Sequence, residues 1–148
     1  MTKNFTLAEN ITTENGQNFI VNREVPAYKM TFRTANSNEV KKTIRNHIRV
    51  NIGNYYNTVN SRFEVPVTGA YVYTLQGTFG PGVAQIELRI NDEVRAINYK
   101  NTMEEFSSVS LYTIEMCEQG DFVEYFYRGD PKENDNQDGF FGTGFLLG

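Results

Sequence analysis

Five basic side chains, Lys41, Lys42, Arg45, His47 and Arg49, fall within one short stretch of an otherwise acidic chain. Arginine clasps carboxylate or phosphate with two parallel hydrogen bonds, so a face carrying these residues would attract anionic glycans or lipid head groups. An ordinary solvated strand face is the competing reading. A second charged segment, Arg128 to Asp138, holds Asp130, Glu133, Asp135 and Asp138, whose hard oxygens at short spacing suit calcium. It lacks the EF-hand pattern, and a charged loop of this kind is ordinarily just solvated, which is the favoured reading; its Arg128-Gly129-Asp130 is an integrin-type tripeptide but also ordinary turn chemistry. His47 and Cys117 are the only histidine and cysteine. Neither they nor any serine sits in a nucleophile motif, and one Cys with one His cannot furnish a zinc site. No catalytic residue is assigned, and calcium is the one cofactor considered. Cys117, closing Ile114-Glu115-Met116, reads as a small buried hydrophobe. Tyr55 and Tyr56 could stack on sugar faces, or pack in the core.

The elements that position these groups are bounded by composition. A chain of 148 residues supports one domain with a real core. A net charge of −4 and a pI near 5.0 give no field to attract a phosphate backbone, so nucleic acid is set aside as a partner. No window approaches the roughly 20 apolar residues of a membrane-spanning helix. Met1 to Asn10 lacks the apolar run of a secretory signal, so a secreted protein would have lost its signal before this sequence begins. A single cysteine allows no intrachain disulfide, which leaves the redox compartment open. Asn4-Phe5-Thr6 and Asn10-Ile11-Thr12 are glycosylation sequons, but Asn and Thr are frequent enough here for chance to produce them.

Residues 1–24, rich in Asn, Thr and Glu with no sustained apolar period, read as a tail or linker. From Val25 onward, β-branched and aromatic residues alternate with polar ones in short runs broken by Gly, Pro, Asn and Asp, the mark of an antiparallel sandwich or barrel. In Ile86-Glu87-Leu88-Arg89-Ile90 three aliphatics face in and two charges face out. Asn91-Asp92 tolerate positive φ and predict a tight hairpin into Glu93-Val94-Arg95-Ala96-Ile97. Val40, Ile44 and Ile48 recur at helical spacing, yet Ile44, Ile48 and Val50 also alternate with Arg45, His47 and Arg49. Read as a strand, the segment projects Arg45, His47 and Arg49 from one face, joined by Lys41 and Lys42 in a basic patch. Late strands are apolar on both faces: Tyr125, Phe126 and Tyr127 are consecutive, and Phe141 and Phe145 crowd the C-terminus. One face fills a core, and the other is costly to leave wet, which predicts self-association through these aromatics.

The ordered series resembles the globular head domain of complement component 1q, a branch of the tumour-necrosis-factor-like superfamily. Pro26-Ala27-Tyr28 and Phe32-Arg33 match its opening strand. Asn51-Ile52-Gly53 with Tyr55-Tyr56 match its Asn-x-Gly and aromatic, with spacing similar to the cerebellin subgroup. Phe63, Pro66, Gly69 and Tyr71 form its Phe-x-x-Pro-x-x-Gly-x-Tyr core, Gly120-Asp121-Phe122-Val123 its Gly-Asp-x-Val, and Gly144-Phe145-Leu146 its closing strand. The resemblance covers residues 25–148. Gly142-Thr143 stand where the family has Phe-Ser-Gly, and the aromatic sits one place earlier at Phe141, a departure that a bulge or shifted register would explain. No Gly-X-Y repeat marks a collagen stalk.

The resemblance implies an all-β, two-sheet antiparallel jelly roll assembling as a homotrimer. It also implies a secreted, non-enzymatic recognition domain, lectin-like and innate-immune, that binds microbial or host-surface glycans or other anionic ligands. The alternative is a cytokine-like or cerebellin-like ligand of a protein receptor; a third option is an intracellular or phage-derived head used for assembly. Some members bind calcium near the trimer top, which is what the resemblance would assign to Asp130, Glu133, Asp135 and Asp138.

Overall fold

A computed structural model describes residues 6–12 and 18–24 at the level of the backbone, and residues 25–33, 35–132 and 139–148 in full. The chain runs through β1 (Thr6–Thr12), β2 (Asn18–Glu24), β3 (Ala27–Arg33), β4 (Ser37–Lys42), β5 (Ile44–Ile52), β6 (Tyr56–Asn57) and β7 (Arg62–Glu64). It continues through β8 (Gly69–Phe79), β9 (Gly82–Ile90), β10 (Glu93–Thr102), β11 (Ser107–Cys117), β12 (Phe122–Gly129) and β13 (Phe140–Leu146). Among the described residues every element is a strand.

One sheet orders its strands β11-β8-β13-β3-β5; the other runs β10-β9-β12-β7-β6, with β4 also pairing to β12. All pairs are antiparallel, and the two sheets pack face to face around a single core, the jelly-roll sandwich expected from the family resemblance. The five-stranded sheet joins strands far apart in sequence: β13, the last strand, lies between β8 and β3. Ahead of the sandwich, β1 and β2 pair as a separate antiparallel ribbon, from Thr6 opposite Glu24 to Thr12 opposite Asn18. Residues 1–24, read from composition as a tail or linker, thus contain paired backbone.

The local signals act as chemistry requires. Ile86, Leu88 and Ile90 are in the core, while Glu87 and Arg89 lie on the outer face and pair at 2.8 Å. Asn91 and Asp92 hold φ of 51° and 67°, the double left-handed turn that joins β9 to β10 without splaying them. Near the C-terminus no bulge forms: β13 pairs residue for residue with β8 from Phe140 to Leu146 and with β3 from Phe141 to Phe145. The predicted shift is unnecessary because Phe140 takes the inward place, and the inward positions after it are glycines. A Cβ on Gly142 would come within 2.6 Å of the Tyr125 ring, and one on Gly144 within 2.4 Å of the Tyr28 ring.

Those rings dominate the interior. Tyr28, Tyr56, Phe63, Tyr71, Tyr73, Tyr125 and Phe140 are all buried, in tilted, stacked or edge-to-face contact with their neighbours. Buried hydroxyls need partners. Tyr125 Oη donates to Thr143 O at 3.0 Å, and since a phenol has one proton, the 2.7 Å contact between Tyr28 and Tyr125 must run from Tyr28 as donor. The two substitutions are therefore unequal. Tyr28→Phe leaves only an unused acceptor, whereas Tyr125→Phe strands the Tyr28 proton. Tyr125→Phe is expected to cost about 1–3 kcal/mol and Tyr28→Phe clearly less, as read by paired denaturant melts.

Burial also raises the Tyr71 phenol to about 12, with smaller contributions after desolvation, and lifts Tyr28, Tyr56, Tyr73 and Tyr125 further, desolvation again being the first cause. Unfolded tyrosines ionise near pH 10, so above that pH the native state binds more protons than the unfolded one. Stability is whole below about pH 10 and falls as pH rises, with Tyr71 giving way near pH 12 and the deeper phenols later. Phenolate absorbance should show Tyr28, Tyr56, Tyr73 and Tyr125 ionising only together with loss of native structure.

Candidate functional site

The basic stretch is divided by the path of the chain. Lys41 and Lys42 end β4, in the six-stranded sheet, and β5 belongs to the other sheet. Thr43 makes the crossing: it is fully buried, and both its amide and its hydroxyl donate to Tyr125 O, at 2.9 and 3.0 Å. Within β5 the expected common face for Arg45, His47 and Arg49 is lost to two bulges. Residues directly opposite in an antiparallel pair share a side, and Arg45 lies opposite the inward Phe32 while His47 lies opposite Thr31, on the outer face. Arg49 falls in the bulge between Ile48 and Val50. Lys42 pairs with buried Glu124 and donates to Asn60 O, and Arg45 Nε donates to Thr58 O at 3.1 Å. Lys41, His47 and Arg49 are exposed. The patch read from sequence is thus dispersed, because sequence spacing shows neither the crossing nor the bulges.

Of the acidic loop, Asp130 pairs with Lys132 at 2.9 Å, and its carbonyl accepts from Gly80 N at 2.9 Å. Glu133, Asp135, Asp138 and the sequon residue Asn4 lie outside the described residues. Among the described residues no cluster of three or more metal-ligating side chains forms. Arg128 donates to Gln85 Oε1 at 3.3 Å. Cys117 is buried with its sulfur 3.4 Å from Tyr73 Oη, and burial pushes its thiol up, which leaves it a packing residue. His47 and Cys117 stand on β5 and β11, at opposite edges of one sheet, so they form no catalytic pair.

The aromatics chosen as core or interface divide three ways. Tyr125 and Tyr127 are in the core; Phe126 lies on the outer face of the six-stranded sheet beneath the Arg89 guanidinium, 3.9 Å from its ring centre. Phe141 and Phe145 lie on the outer face of the five-stranded sheet, and the register shows what surrounds them. Ile114, Val72, Phe145, Ala27 and Ile52 form an unbroken apolar row across all five strands. Tyr112, Ile114 and Met116 add an exposed stripe on β11, at 66%, 51% and 71%, and Leu147 follows beside Ala70. Tyr112 and Ile114 are absent from the residues picked by sequence, though a signal existed: Val109 and Leu111 alternate with them, so β11 is apolar on both faces.

The turn Asn51 to Tyr56 separates its two tyrosines. Asn51 accepts from Tyr56 N and donates to Tyr56 O, at 3.1 and 3.2 Å, drawing Tyr56 into the core, while Tyr55 stays 41% exposed. Tyr55 borders two clefts, of about 460 and 570 Å³, that share it and Glu64 as walls. Sequence reasoning raised Tyr55 but missed Glu64 and Gln119, which only folding brings beside it.

Comparison with known proteins is consistent with this geometry. Murine APRIL at pH 5.0 superposes with a TM-score of 0.68 at 14% identity, covering 83% of this chain and 99% of that one. The globular domain of zebrafish complement 1qA protein superposes with a TM-score of 0.62 at 18% identity, covering 83% and 98%. Identities this low speak for the fold alone. No curated relative matches by sequence. The model of the C1q domain, however, matches residues 27–147, which is most of the sequence, and the chain belongs to the C1q domain family.

Proposed function

We propose that this chain is a secreted, homotrimeric recognition domain that carries out no reaction and binds microbial or host-surface glycans or other anionic ligands in a lectin-like, innate-immune role. The observation that carries the reading is the apolar row across the outer face of the five-stranded sheet. Its exposed members are ones that water solvates poorly, and each 100 Å² of such surface covered by a second copy contributes roughly 2–3 kcal/mol. A face-to-edge contact that closes as a ring covers every copy equally. Three copies presented together turn a weak single-site contact into tight surface attachment, which is how a domain with shallow binding sites recognises a polyvalent surface. No described helix is long and apolar enough to cross a membrane.

A second reading, a cytokine-like or cerebellin-like ligand of a protein receptor, is favoured by one feature. The connection from β10 to β11 holds out Met103 at 81% and Phe106 at 61%, with Tyr99 on the strand before them at 71%. Exposed methionine and aromatics suit a protein partner better than a sugar.

Light scattering of the native protein at micromolar concentration should give the mass of a trimer, and Tyr112→Asp/Ile114→Asp should give that of a monomer with an unchanged β-sheet circular dichroism spectrum. A native monomer would contradict the assembly. For the ligand, the dispersed cations predict unequal roles. Arg45→Ala/Arg49→Ala should weaken retention on immobilised heparin hexasaccharide several-fold. Lys42→Ala should instead destabilise the fold by about 1–3 kcal/mol, since it leaves the buried Glu124 without its cation. Failure of the wild type to bind either heparin or any member of a glycan array would remove the lectin reading in favour of a receptor.

A further inference from the structure

We infer that the paired clefts on either side of Tyr55 form a binding site for a neutral oligosaccharide of two or three rings, a proposal that rests on the glycan-recognition reading and gives it a location. The clefts, about 460 and 570 Å³, are each of small-molecule size and meet at Tyr55 and Glu64. Asn54, Asn57 and Thr58 line one side; Arg62, Pro66, Gln119 and Phe122 line the other.

Tyr55 is set in place before any ligand arrives. Gly53 has φ of 82° and no side chain, and a Cβ there would sit 2.3 Å from Tyr55 Cε2, so the ring lies directly against the glycine backbone. The carbonyl of Tyr55 accepts from Glu64 N at 2.9 Å, tying the exposed tyrosine to β7. A ring held this way loses little freedom on binding and offers a flat apolar surface to the C–H face of a sugar.

The polar groups fix the class of ligand. Glu64 Oε1 accepts from both Asn57 Nδ2 at 3.2 Å and Arg62 Nε at 3.3 Å, which leaves Oε2 as an acceptor and cancels the one cation against the one anion. The Arg62 guanidinium also lies 4.6 Å from the centre of the Phe122 ring, flattened against the cleft wall. Asn54 and Gln119 add amides that both donate and accept. Sugar hydroxyls likewise do both, so mixed amides beside an aromatic plane complement them. An anionic ligand would meet Glu64, with Arg62 already paired to it and Arg45 Nε committed to the Thr58 carbonyl, and is therefore disfavoured here.

The test is titration of the full chain with cellotriose, chitotriose and mannotriose, followed by calorimetry and by aromatic NMR shifts, alongside heparin hexasaccharide as the anionic arm. The expected result is millimolar or tighter binding of at least one neutral trisaccharide, weakened at least tenfold by Tyr55→Ala and by Gln119→Ala but kept by Tyr55→Phe. Melting temperature and trimer mass should be unchanged in all three variants. Binding that is indifferent to Tyr55→Ala and Gln119→Ala would overturn this site and leave glycan recognition standing elsewhere on the surface. No binding of any neutral trisaccharide would also overturn it, and the heparin arm would then decide separately whether the recognition reading survives.

Discussion

The two sheets are held apart by phenol and phenyl rings, and the last strand can lie between β8 and β3 only because its inward positions after Phe140 lack side chains. Gly142 and Gly144 give their space to Tyr125 and Tyr28, whose hydroxyls then reach each other and the Thr143 carbonyl. Much else depends on that fit. Without β13 in the middle, the five-stranded sheet would divide into β11-β8 and β3-β5, and the first and last strands of the sandwich would not pair. The fit also explains why so many tyrosines can be interior in a sandwich without disulfides: rings fill the gap between sheets, and the hydroxyls of Tyr28, Tyr71, Tyr73, Tyr125 and Tyr127 are each given a partner rather than left as a buried polar cost.

Having glycine on the inside pushes the bulk of β13 outward. Phe141 and Phe145 are on the face that water would otherwise cover, and Tyr112 and Ile114 on β11 extend it. The other sheet treats its outer face in the opposite way. Glu87 with Arg89, Glu124 with Lys42, and Arg89 over Phe126 close that surface with charges that satisfy one another. Glu87 and Glu124 are nearly buried by their own partners, so this surface is polar yet self-contained. Over β9 and β12 that outer face is therefore finished within the single chain, while the five-stranded sheet has an apolar face that a further copy would cover.

What could be read from sequence was what neighbouring residues decide together. Alternation from Ile86 to Ile90, the positive-φ pair Asn91-Asp92, and the Phe63, Pro66, Gly69 and Tyr71 core motif are each local, and each stands as read. The failures share a cause. Lys41 and Arg45 are four positions apart yet belong to different sheets, because buried Thr43 finds its acceptors on Tyr125, a residue with no signal in that stretch. The bulges opposite β3 reverse which side of β5 faces out, and a one-residue slip moves every later side chain to the other face. Register is a property of a pair of strands, so no inspection of one strand alone could have placed Arg45, His47 and Arg49.

The turn at Asn51 shows how one short motif can serve both scaffold and surface. Its asparagine bonds both backbone groups of Tyr56 and commits that ring to the core beside Tyr28, at 5.1 Å between centres. Once Tyr56 is committed, Tyr55 has to point the other way, and the left-handed Gly53 and Asn54 leave its ring nothing to clash with and a backbone to lie on. The exposed tyrosine is thus a consequence of the buried one. Two adjacent aromatics that sequence could not tell apart are separated by the same hydrogen bonds, so the arrangement of the surface follows from the arrangement of the core.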